Sequence, residues 1–61
     1  MNLVPTLRVL LATGMNEDEA YDMIGRGEDT LMRYLRFRFA SIEQMIHAFE
    51  CAEQGRPVKA L

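Results

Sequence analysis

The chain has 61 residues, a net charge of −2 and a hydrophobic fraction of 49%. A chain this short makes one domain that buries only about 60% of the surface its unfolded form exposes, so a staple is expected. One cysteine excludes an intrachain disulfide, one cysteine with one histidine falls short of a structural zinc set, and the mildly acidic balance argues against non-specific nucleic-acid binding.

Oligomerisation is the staple that remains. There is no apolar run of about 18 residues and no basic segment leading into an apolar one at the start, so neither a membrane span nor a secretory signal is expected. A free thiol suits a reducing cytoplasm. Five Met and no Trp suggest a plastic apolar surface.

The periodicity predicts four short helices in a single domain over residues 1–61, with 55–61 as a short C-terminal tail. The first runs from Pro5 to Ala12. Pro5 suits a first turn, and Gly14 is a left-handed stop just beyond the end. Leu3, Leu7, Leu10 and Leu11 form its apolar stripe with Val4 beside them, and Val9 falls off that stripe.

The second helix begins at Asn16, a capping residue, with Glu19 placed as a capping-box partner. Glu17, Asp18 and Glu19 sit where the helix dipole favours negative charge. Ala20, Tyr21 and Ile24, with Met23 at the edge, are the expected inner face; Gly25 and Gly27 end the helix.

The third helix spans Asp29 to Phe37. Its apolar residues occupy nearly the whole circumference, with Arg33 and Arg36 in one narrow polar sector. A helix apolar all round is covered on several sides, which in so small a chain predicts a second subunit. Residues 35–39 also alternate with period two, the pattern of a short strand. The fourth helix starts at Ser41 with Gln44 as its capping-box partner, and Ile42, Met45, Ile46 and Phe49 recur at helical spacing. It ends near Gln54–Gly55, ahead of Pro57. The expected fold is therefore an all-α, compact bundle of four short helices in a homodimer.

Residues 17–36 resemble a helix-turn-helix, in which a second helix is presented to the DNA major groove after a tight glycine-containing turn. Ala20, Ile24, Gly25, Leu31 and Tyr34 match the small, apolar, glycine and apolar positions of that motif. Tyr21 stands where a second small residue is usual, Arg26 where an apolar one is, and Glu28–Asp29 would face phosphates. The resemblance implies a DNA-binding regulator using Arg26, Arg33, Arg36 and Arg38. A fainter resemblance is to ubiquitin-associated three-helix domains, through Leu10–Leu11, Gly14–Met15, Glu19–Ala20 and Tyr34–Leu35; the loop between helices two and three is about three residues short for it, which sets it aside.

For chemistry, Glu43, His47 and Cys51 form a line at one-turn spacing along the fourth helix. Such a line can bind a metal or activate a thiol. It lies opposite the Ile42/Met45/Ile46/Phe49 stripe and is expected to face solvent. The acidic run Glu17–Asp22 reads as dipole-favoured charge, or as a face for a basic partner. No catalytic residue, metal ligand set or cofactor site is assigned. The expectation is a non-enzymatic regulator, adaptor or inhibitor that binds a protein through Val9, Met32, Arg33, Arg36, Phe37 and Arg38. Apolar area would supply affinity and arginine orientation.

Overall fold

A computed structural model describes residues 3–59. It places four α-helices in chain order: α1 (Val4–Ala12), α2 (Glu17–Gly25), α3 (Glu28–Arg38) and α4 (Ile42–Glu53). No strand occurs among the described residues. The alternating stretch at 35–39 is helical through Arg38, and Phe39 alone turns extended at φ −114°, ψ 142°. An isolated strand there would have had no partner for its backbone groups.

The caps follow local chemistry. Asn16 Oδ1 accepts from the Glu19 backbone N–H at 2.8 Å, and Asn16 Nδ2 donates to Glu19 Oε1 at 3.0 Å. The reciprocal arm of the capping box thus runs through the Asn side chain rather than the Asn16 backbone N–H. Ser41 Oγ accepts from the Gln44 N–H at 3.1 Å. Pro5 stands in the first turn of α1, where its missing N–H costs nothing.

Two glycines carry the sharpest turns. Gly27, at φ 107° and ψ 164°, ends α2 by donating its N–H to Ile24 O, and begins α3 by accepting from Leu31 N–H. One residue serving both helices makes the α2–α3 connection two residues long. Side chains with a Cβ hardly ever adopt that backbone. Gly55, at φ 74°, closes α4: its N–H donates to Ala52 O at 3.2 Å, and Arg56 N–H donates to Cys51 O at 2.8 Å. This double bond pattern is a Schellman motif. It turns the chain back so that Val58 is half-buried against the core; Ala60 and Leu61 lie outside the described residues.

The core is built from all four helices. Val9, Leu10, Ala20, Leu35, Phe39, Met45, Ala48 and Ala52 are buried together. Full burial of residues such as Leu10 and Leu35 contributes about 1.5–3 kcal/mol each. α1 packs most extensively on α4, then on α2; α3 touches α2 and α4.

Three expected faces are corrected by this arrangement. Val9 is fully buried, because α1 is flanked by both α2 and α4 and needs a wider buried arc than its leucine stripe; Leu3 and Val4 are exposed instead. Tyr21 is 56% exposed, while Ala20 is buried and Met23 and Ile24 half-buried. On α4, Met45, Ala48, Cys51 and Ala52 face inward. The inner face is rotated by roughly a quarter-turn from the Ile42/Met45/Ile46/Phe49 stripe, leaving Ile42 and Ile46 each 52% exposed. Two alanines on that face let another helix approach closely, which a row of isoleucines would prevent.

Candidate functional site

The side chains of α3 divide into two sets. On the inner side, Tyr34 and Arg38, one turn apart, reach the C-terminal end of α1. Thr13, buried at that end, donates its hydroxyl to Leu10 O at 2.6 Å. With its one proton used there, Thr13 Oγ1 accepts from the Tyr34 hydroxyl, also at 2.6 Å. Arg38 Nη2 donates to Thr13 O at 2.7 Å. A guanidinium on a carbonyl at a helix C-terminus meets the negative end of the dipole and satisfies a group the helix itself leaves open. Tyr34 and Arg38 therefore tie α3 to the C-terminal end of α1, two helices whose backbones do not otherwise approach closely.

On the outer side, Arg33, Arg36 and Phe37 are exposed, and Phe37 keeps 84% of its surface in solvent. At 100° per residue these three fall within an arc of about 100°. Met32 borders it, half-buried, and lines a shallow groove with Asp29, Arg33 and Arg36. Among the described residues, neither Arg33 nor Arg36 takes part in an ion pair.

The six residues expected to form a contact face are thus not one surface. Met32, Arg33, Arg36 and Phe37 are brought together, whereas Val9 belongs to the core and Arg38 to the lock with Thr13. Of the four arginines of the DNA reading, Arg33 and Arg36 are open. Arg38 is committed inward, and Arg26 Nε is paired with Asp22 Oδ2 at 2.9 Å on the exposed side of α2. The pair is solvated on both sides and contributes little stability.

The expectation that Glu43, His47 and Cys51 all face solvent is also corrected. Glu43 and His47 are exposed, but Cys51 is buried, its Sγ 3.5 Å from His47 Nε2. The rotation of α4 brings Cys51 inward, and Pro57 and Val58 of the returning tail line the groove over it. Among the described residues, no group of three or more histidine, cysteine, aspartate or glutamate side chains is placed to hold a metal ion. No helix among them is long and apolar enough to cross a membrane.

The Thr13–Tyr34–Arg38 lock was not anticipated. Its partners lie 21 and 25 residues apart, and only the i, i+4 spacing of Tyr34 and Arg38 hinted at a shared face. No protein-family model, curated protein or solved structure matches this chain.

Proposed function

We propose that this chain is a small, non-enzymatic regulator, adaptor or inhibitor that acts in the cytoplasm by binding a protein, and that it works as a homodimer. The observation that carries the reading is Phe37. It is 84% exposed and flanked by exposed Arg33 and Arg36. In a chain with so little apolar surface to spend on its own core, a solvent-facing phenyl ring is a poor use of area unless another molecule covers it. Aromatic and arginine side chains are also the types enriched at the energetic centres of interfaces. Met32 supplies further apolar area at the margin.

A non-enzymatic role is supported by the chemistry available. The His47–Cys51 pair has its thiol buried, with exposed Glu43 one turn away. A thiol buried in this way is held from substrate and behaves as a small packing group rather than a nucleophile.

The second reading is a DNA-binding regulator on residues 17–36, favoured by the two-residue turn that leaves the outer arc of α3 exposed. Parallel purification of wild type and Phe37→Asp from the host separates the two. A protein held by wild type and lost by a variant of unchanged helicity supports the first. A partner retained by Phe37→Asp contradicts it, as does duplex DNA binding that weakens steeply with salt, which would assign Arg33 and Arg36 to phosphates.

A further inference from the structure

The outer side of α4 has the complementary chemistry to the outer side of α3. Ile42 and Ile46, one turn apart, are half in solvent, and Glu43 and Glu50 are exposed beside them. At 100° per residue these four side chains share an arc of about 100°, the same width as the Arg33/Arg36/Phe37 arc. α4 contains no lysine or arginine. Among the described residues, none of Arg33, Arg36, Glu43 and Glu50 is in an ion pair. One chain therefore presents a basic, aromatic arc and an acidic, aliphatic arc on consecutive helices, both unpaired.

We infer that the Ile42/Glu43/Ile46/Glu50 arc of α4 is the docking surface for α3 of a second copy. The reciprocal contact then completes a two-fold dimer. Phe37 of each copy lies on the partner's isoleucine pair, and Arg33 and Arg36 face the glutamates. A two-fold dimer joins like surface with like unless two different arcs cross. Pairing α3 with α3 would oppose arginines, and pairing α4 with α4 would oppose glutamates. The crossed arrangement alone of these three neutralises both. The acidic arc of α2 fits less well: Asp22 is already engaged by Arg26, and no aliphatic pair accompanies it. This assignment rests on reading the outer arc of α3 as a contact face, and adds which surface receives it.

Charge reversal tests it. Arg33→Glu/Arg36→Glu makes both arcs acidic, and Glu43→Lys/Glu50→Lys makes both basic. All four positions are exposed, so both variants keep the helicity of wild type. Each alone should self-associate roughly tenfold or more weakly than wild type in sedimentation. Mixed in equal amounts, they form a heterodimer in which both crossed contacts are again complementary, with affinity restored toward that of wild type. Wild type that remains at 7.0 kDa at concentrations up to about 1 mM overturns the inference, as do variants that each dimerise like wild type. Isotope-filtered NMR on wild type needs no variant: intermolecular contacts from the Phe37 ring to the Ile42 and Ile46 methyl groups are expected, and a dimer lacking them overturns the assignment. The partner reading is tested separately: a partner on the α3 arc competes with the second copy, so Glu43→Lys/Glu50→Lys, which frees that arc, should capture the protein that Phe37→Asp loses at least as well as wild type, and its loss by both variants would overturn the partner reading alone.

Discussion

Both sides of α3 carry an aromatic ring and arginine, and the two sides use them for different ends. Inside, the Tyr34 hydroxyl and the Arg38 guanidinium have fixed partners on Thr13 at 2.6 and 2.7 Å. Outside, Phe37, Arg33 and Arg36 make no such side-chain hydrogen bond among the described residues, and neither arginine is in an ion pair. Residue type is nearly the same on the two sides; geometry decides the role. Arginine opposite a helix C-terminus is a structural cap, whereas the arginines beside the open phenyl ring are the ones proposed to make contact.

This difference can be broken from either side. The largest effect is expected at Leu35, fully buried on the inner face. Leu35→Ala should cost about 2–5 kcal/mol, a large share of the stability of so small a domain, and a denaturant titration would read it as a partly or wholly unfolded chain. Next is the glycine that starts α3. Gly27→Ala should cost about 1–3 kcal/mol through backbone strain alone, since a Cβ there meets nothing within 4 Å. Gly25, two residues earlier, also has open space but an ordinary helical backbone. Gly25→Ala should therefore stabilise by about 0.4–1 kcal/mol, and thermal midpoints of opposite sign for the pair would check both.

Smaller effects separate the lock from the contact arc. Tyr34→Phe removes the hydroxyl that donates to Thr13 but leaves the Thr13 bond to Leu10 O intact. A loss of about 0.5–1.5 kcal/mol in urea unfolding is expected. Phe37→Ala should change the stability of the dilute monomer by no more than about 0.5 kcal/mol. At high concentration, where association adds to the apparent stability of wild type, the two chains should diverge. A Phe37→Ala chain that loses several kcal/mol when dilute would make Phe37 a core residue.

Much of this fold was readable from local chemistry. Asn16, Ser41, Gly14 and Gly27 punctuate the chain where capping and left-handed turns need them, and four helices follow. Which side of each helix turns inward was harder. On α4, Ile42–Met45–Ile46–Phe49 and the buried Met45–Ala48–Cys51–Ala52 are both spaced by three and four residues, and hydrophobic size favours the first. Packing favours the second, because a close helix contact needs small side chains. Val9 was misplaced for a related reason: a stripe of leucines says nothing about how many neighbours a helix will have. The pairing of Thr13 with Tyr34 and Arg38 joins distant positions and leaves no periodic trace. The grouping of side chains on the outer side of α3 is legible in part. Met32, Arg33, Arg36 and Phe37 share a side, whereas Val9 lies in the core and Arg38 turns to Thr13, placements set by how the helices pack and not by periodicity.

The most direct test of α3 as a contact surface is sedimentation of wild type and Phe37→Asp side by side, at matched helicity. Wild type is expected at about twice the monomer mass of 7.0 kDa and the variant at the monomer mass. A variant that keeps the mass of wild type, or a wild type that sediments as a monomer, would contradict the assignment of the outer arc to a second subunit.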